Sequence, residues 1–463
     1  MRAFDSHLAE IRFGYGLSSG LAVPRDPAQM LDGLTAPDNM AMRFPSEPFD
    51  AFLGRVVKVQ AARVEQRKNR GTAQEAVARK QRQKLNRQAR RAWIGWVGQT
   101  MLRRINSDTA FRERLVAFWA DHFTAQGRVG LFRRGTTPYV DDAIRPFVAA
   151  RFADILQAAV MHPLMLDYLD QARSMGPQSV IALRRGARKP SGLNENLARE
   201  VLELHTLGVG GPYTQTDVTQ LAELFTGMTF QARTGYRFRA QFAQPGGETV
   251  LGNAYPEAVN DQPVRAVLED LAAHPATARH IARKLAVHFT SDDPDGALVD
   301  ALEATYLASD GALLPLYSTL LEHPASWRTE LTNFKPPIDF LSSALRALAP
   351  PIDVIAKAKP RHVVRNIMQP LATMGQFWER PDGPDGWSED DADWITPQGI
   401  AARVTWAMRT PGVMMTTLPD PRKFVETALG TFANDTVRFA ASAAESKSEA
   451  IGLVLMSPQF QRR

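Results

Sequence analysis

The sequence predicts an all-α fold: one mostly helical unit spanning residues 1–463, with a small β-hairpin inserted near residues 229–252. Three observations predict it. Apolar residues recur at helical spacing along most of the chain, polar capping signals punctuate those runs, and strand-like alternation is scarce. With 44% hydrophobic and 22% charged residues, the chain has ample apolar mass for a core.

The first long element is a basic helical segment, 55–104. It holds fifteen lysines and arginines against two glutamates, so the net charge of +6 belongs to this segment and the remainder is acidic. At 100° per residue, Arg79, Lys80, Lys84, Arg87, Arg90 and Arg91 fall on one side, within about 140° of one another. Such a stripe is either a solvated helix face or a grip for an anionic polymer or an acidic partner. Aromatic residues enter only at Trp93 and Trp96, and no nucleic-acid-binding fold accompanies the stripe, so a nucleic acid is not the expected partner.

The next helix is RLVAFWADHF, for which Ser107 and Asp108 offer an N-cap. Four later segments share one pattern, LQAAVMHPLM, LEDLAAHPAT, LYSTLLEHPAS and LVLMSPQF: an apolar helix, then His or Ser, then Pro, then more helix. Proline suits the first turn of a helix and pushes the preceding residue out of helical geometry. His162, His274, His323 and Ser457 are therefore predicted N-caps. NENLAREVLELHTLG, residues 194–208, reads as an amphipathic helix stopped at Gly208. Thr214 and Asp217 form a capping box that opens the next helix, and Gly227 closes it. Tyr236, Phe238 and Phe242 at even spacing, with a Pro-Gly-Gly turn, mark the hairpin. The stretch 375–397, rich in Trp, Pro, Gly and Asp, reads as a loop held by buried tryptophans.

Chemistry concentrates on two helices. In the 194–208 helix, Asn196, Glu200 and Glu203 form a column within about 60°, while His205 lies on the apolar side. Glu195, Arg199 and Glu203 are i,i+4 neighbours, so a surface ion-pair ladder accounts for this face. Enclosure would make it a site instead, because two carboxyls one turn apart take different pKa values and can serve as acid and base. On the other helix, His122 shares a face with Trp119. It is either a satisfied core residue or a base or ligand opposite the carboxylates.

The chain has no cysteine, which excludes disulfides and thiolate chemistry. No zinc-binding H-E-x-x-H, P-loop, dinucleotide fingerprint or nucleophile elbow occurs, so no cofactor is expected from motifs and no metal ligand is assigned. No apolar run is long enough to span a bilayer. The first twenty residues lack a signal-peptide core, so the expectation is a soluble chain outside the general secretory route.

AFWADHFT, HPLMLDYLD, NENLAREVLELHTLGVGGPYTQTDV with FTGMTF, HPATARHIARKLAVHFTSDDP, GWSEDDADWITP and MSPQFQRR together resemble a bacterial family, the domain of unknown function 1800. The resemblance runs nearly the whole chain and implies one continuous, mostly helical unit. Its pattern singles out His122, Asn194, Glu195, Asn196, Glu200, Glu203, His205, Tyr213 and Gln215. Relatives carry His and Lys around the Pro-Gly of the hairpin, where this chain has Ala243 and Glu248, which implies a structural hairpin here. Family members are often encoded beside a sulfatase-like family, domain of unknown function 1501, whose members tend to bear twin-arginine signals. The implied location is the cytoplasm, or the periplasm through export with such a partner.

Three functional expectations follow. The first is a hydrolase of a polysaccharide or other cell-envelope polymer. In it Glu200 and Glu203 are acid and base, His122 stands opposite, and Asn196, Glu195, His205, Tyr213 and Gln215 bind substrate. The second is an accessory protein that binds a sulfatase-like partner through the basic stripe. The third is a redox protein holding a metal or haem through His122 and His205.

Overall fold

Helices carry most of the chain in the computed structural model, which describes residues 4–185 and 192–463. The strands among these residues form two separate antiparallel hairpins, where the sequence predicts one. The first pairs β1 (Met228–Gln231) with β2 (Gly235–Phe238), and the second pairs β3 (Glu248–Val250) with β4 (Asn253–Tyr255). Each has its own glycine in left-handed geometry at the turn, Gly235 and Gly252. Pro245-Gly246-Gly247 links the two hairpins instead of closing one.

The helices that matter for the site are α1 (Ser6–Arg12), α2 (Phe49–Lys68), α3 (Ala73–Asn106), α4 (Ala110–His122), α5 (Asn196–Glu200), α6 (Gln215–Leu224), α7 (Gln262–Ala273), α8 (Pro275–Phe289) and α9 (Pro337–Leu348). Their apolar faces build two cores. One gathers Phe13, Phe52, Trp119, Phe152, Leu202 and Phe289; the other gathers Met101, Phe340, Leu371, Trp406 and Ile451. Helix α3 belongs to both, with Ala89 and Trp96 in the first and Ile94, Val97 and Met101 in the second. A cavity opens along this junction.

Side-chain caps open several of the helices. His162, His274 and His323 each accept a hydrogen bond on Nδ1 from a backbone N–H two residues on, at 3.1, 3.0 and 3.3 Å. The Thr214–Asp217 capping box closes in both directions and opens α6. The cap of α4 differs from expectation. Thr109 takes the N-cap position, and Ser107 accepts from the Thr109 N–H instead. Replacing His274 with Ala leaves the Ala276 N–H without its acceptor and is expected to cost about 1 kcal/mol. His274→Asn, which keeps a capping acceptor, should recover most of that loss in a urea denaturation series.

Buried guanidinium groups fasten the irregular segments. Arg346 on α9 is 1% exposed and donates to the carbonyls of Gly16, Arg104, Ile105 and Ser107 and to the Glu10 carboxylate. One side chain thus ties α1, the end of α3 and α9 together. No helix among the described residues is long and apolar enough to cross a membrane.

Candidate active site

The carboxylate-rich helix does not run as a uniform α-helix. After α5 the chain winds into a π-helical segment, Val201–Thr206, in which Leu207 N–H donates to Leu202 O and Thr206 Oγ1 to Val201 O. The wider turn shifts every later side chain from its ideal position, and such turns gather at functional sites. Because the helix ends here, its last carbonyls lack intrahelical donors. Two histidines supply them: His122 Nε2 donates to His205 O and His280 Nε2 to Leu204 O, both at 3.1 Å.

That contact defines what His122 faces. Its ring centroid lies 6.0 Å from that of His205 and 6.1 Å from that of His280, against the apolar side of the motif helix. Burial pushes His205 down to about 3 and His280 down to about 4, and holds His122 well below the usual imidazole range; nearby Lys284 adds to each. The three rings are neutral at neutral pH. Both ring nitrogens of His205 and Nδ1 of His122 are buried without a hydrogen-bond partner. Among the described residues, no group of three or more His, Asp or Glu side chains could hold a metal ion.

The other motif residues divide into two groups. Glu195, Arg199 and Glu203 form the i,i+4 ladder, at 3.4 and 3.3 Å, with side chains 27–39% exposed. Gln215 extends it, donating to Glu195 and accepting from Arg199. A hydrogen bond from Thr219, chief among several, holds the Glu195 carboxyl below its ordinary value. Asn196 is exposed, and Asn194 braces the chain by donating to Leu169 O. Tyr213 lies beside Glu203, with its hydroxyl pushed up chiefly by burial and then by that carboxylate. This surface is a polar network, and the structure does not bring His122 into it.

Glu200 is different. It is half-buried and pushed up to about 7, first by burial and then by Glu203 and Asp385. Asp385 belongs to the tryptophan-rich loop, and it also acts on Asp121, the residue before His122. On a helix, neighbours point about 100° apart. His122 therefore caps the motif helix while Asp121 faces the loop, and the loop is shaped around it. Trp387 N–H donates to Asp121 Oδ1 at 2.9 Å. A Cβ at Gly386, where φ is +84°, would stand 2.6 Å from Asp121 Oδ2 and 2.8 Å from Asp121 O. Gly386→Ala is expected to cost about 1–3 kcal/mol through backbone strain. It should also displace Asp121, which a paired measurement of thermal stability and Asp121 titration would reveal.

Asp121 opens into a cavity of about 180 Å³ at the junction of the two cores. Five more carboxyl groups line it, Glu113, Asp141, Asp339, Glu379 and Glu389, as do Arg114, His288, Trp378 and Trp387. A relay positions Glu389. Arg114 Nη1 donates to Asp339 at 2.7 Å, and Arg114 Nε donates to His288 Nε2 at 3.1 Å. Since a guanidinium can only donate, His288 carries its proton on Nδ1 and gives it to Glu389 Oε1 at 2.6 Å.

Asp121 and Glu389 take opposite pKa shifts. Burial pushes Asp121 up to about 7, with Glu389 and Asp385 contributing, against the opposing effects of Trp387 N–H and Lys284. Burial would also raise Glu389, but His288, Lys284 and Arg114 more than offset it and hold Glu389 below the usual carboxylate range. A third group, Glu379, is pushed up to about 7 by burial although Thr137 donates to it. Its backbone sits at φ +52°, a strained geometry for a non-glycine residue. Asp141, on a second π-helical segment at Val140–Ile144, closes the wall with a two-pronged contact to Arg103.

Sequence reasoning singled out His122 and passed over Asp121 beside it. It valued the tryptophans of 375–397 and not Glu389 or Asp385. Trp378 and Trp394 are 6% exposed, and Trp387 is half-buried. The missed signal was the recurrence of acidic residues in two motifs that both carry tryptophan, FWADHF and GWSEDD.

A family model described as "Protein of unknown function (DUF1800)" matches residues 11–462. No curated protein and no solved structure matches the chain.

Proposed function

The chain belongs to the DUF1800 family, and on that premise we propose that it is a hydrolase whose acid and base are Asp121 and Glu389. The observation that carries the reading is the opposed environment of two carboxyls lining one cavity, one pushed up to about 7 and the other held low. Pairs separated in this way supply a protonated acid and an ionised base at the same pH. Asp121 would protonate the leaving oxygen of the scissile bond, and Glu389 would take a proton from the attacking water. Lys284, which acts on both, would steady the negative charge that passes between them.

The substrate class this geometry supports best is a polysaccharide. The cavity is smaller than the roughly 300–1,000 Å³ of sites that enclose a whole drug-sized ligand, so it admits one unit of a longer molecule. Its lining includes aromatic rings with apolar faces suited to the C–H faces of sugars: Trp387, and Phe377 at 56% exposure. Glu200, pushed up to about 7 with Asp385 among the causes, would in its protonated form donate a hydrogen bond to a neighbouring sugar hydroxyl.

Release of reducing ends from a panel of bacterial envelope glycans tests this. The rate should rise with pH as Glu389 ionises below 4.5 and fall as Asp121 ionises through about 7. A rate on the active glycan that climbs steadily past pH 8 would contradict the assignment of Asp121 as the acid.

A further inference from the structure

Helices α2 and α3 leave the body together as a two-helix arm. The 20 residues of α2 make it about 30 Å long at 1.5 Å per residue. The two helices meet along small residues, with Ala62, Ala78 and Ala89 buried, and nearly everything else from Lys58 to Arg91 faces solvent. The six cations of the stripe are all exposed, and between Lys58 and Arg91 no cation closes an ion pair among the described residues. A solvated helix normally mixes both signs along its surface, whereas from Lys58 to Arg91 twelve cations stand against two acids, Glu65 and Glu75, the latter held low by hydrogen bonds from Gly71 and Gln66 and by Arg70 and Arg79.

The charge continues onto the body through other parts of the chain. Arg90 and Arg380 both act on Arg134, which is half-buried. Arg380 lies 5.9 Å from the ring of Trp93, and it follows Trp378 and Glu379 of the cavity wall. Helix α3 itself ends in that wall, at Thr100, Arg103 and Arg104. A track of guanidinium groups thus leads from the arm to the rim where Phe377 is exposed.

We propose that the arm is a docking rail for a linear anionic polysaccharide, delivering one of its sugars past Arg134 and Arg380 to the cavity. The inference rests on the polysaccharide reading above and narrows it to carboxylate- or sulfate-bearing chains. Arginine dominates the track, and its planar fork suits such two-oxygen groups. The arm presents no exposed aromatic ring on which the bases of a single-stranded nucleic acid would stack. Its exposed apolar side chains, Val64 and Val77, are too few and too small to insert into a lipid surface.

Binding of polygalacturonate and of dextran sulfate, measured by titration calorimetry over a salt series, tests the proposal. The proteins are the full chain, the triple variant Arg87→Glu, Arg90→Glu, Arg91→Glu, and Asp121→Asn. The proposal expects salt-sensitive binding of at least one of the two polymers, weakened at least tenfold in the triple variant at unchanged melting temperature. It expects Asp121→Asn to bind as tightly as the unaltered chain, which separates the rail from the chemistry: lost hydrolysis with retained binding leaves the rail standing. Binding of neither polymer, or equal binding by the triple variant, would overturn it. So would tighter binding of duplex DNA or of phosphatidylglycerol vesicles through the same arginines, since the occupant would then be a different macromolecule.

Discussion

Asp121→Asn is expected to lower kcat/KM on the active glycan by about 100- to 10,000-fold, the usual contribution of a positioned general acid. The substitution is close to isosteric, and the amide oxygen still accepts from Trp387 N–H, so the loop keeps its anchor. Stability should move the other way. The Asp121 carboxyl, ordinarily at 3.8, stands at about 7 in the fold. Between those values the unfolded chain has released a proton that the folded chain retains, so the fold loses stability as pH rises through the window. Asparagine has no such proton. The variant should therefore gain stability relative to the unaltered chain between pH 4 and 7, and keep that gain above it. Lost activity together with increased stability at neutral pH is a signature that a merely structural aspartate would not give. Glu389→Gln should lose activity to a similar extent, with the His288 Nδ1–H still satisfied by the amide oxygen.

Arg346→Ala is expected to be the most damaging single substitution for the fold, at about 3–5 kcal/mol, the usual cost of removing one partner of a buried ion pair. Four backbone carbonyls lose their donor, and Glu10, 5% exposed, loses its counter-charge. The Glu10 carboxyl is already raised by burial against the pull of Arg346, and without the guanidinium it would be driven to the protonated form. Chemical denaturation with a helical circular-dichroism signal measures the loss, which should shrink as pH falls and Glu10 is neutralised. Arg346→Lys should recover only part of it, since one ammonium cannot reach the carbonyls that the planar fork serves. Because Arg346 joins elements on both sides of the core junction, its loss would also loosen the far wall of the cavity.

How far the sequence could be read depends on the range of the interactions involved. The histidine–proline corners were legible because a cap is set by three or four adjacent residues, and the Thr214–Asp217 box for the same reason. The ladder of Glu195, Arg199 and Glu203 was legible from spacing alone. The environment of Glu200 was not, because its burial and the nearby Asp385 depend on a loop far along the chain. His122 drew notice as a histidine among aromatics, yet in the fold its ring satisfies the end of another helix. Asp121 and Glu389 are 268 positions apart in the chain, and only the junction of two cores brings them to one cavity. Their opposed pKa shifts arise from burial and from His288, Arg114 and Lys284, none of which has a sequence signature. The single hairpin became two because each glycine turn closes its own short ladder, a register that alternation over so few residues does not specify.

The most direct measurement is the titration of the Asp121 carboxyl by carbon-13 NMR, with its resonance identified by disappearance in Asp121→Asn. It needs no substrate. A midpoint near 7 is expected, well separated from the bulk of the carboxyls and lowered when Gly386→Ala pushes the side chain outward. A midpoint near the ordinary 3.8 would mean that Asp121 is ionised at neutral pH, and the chain would then have no proton to deliver at this cavity.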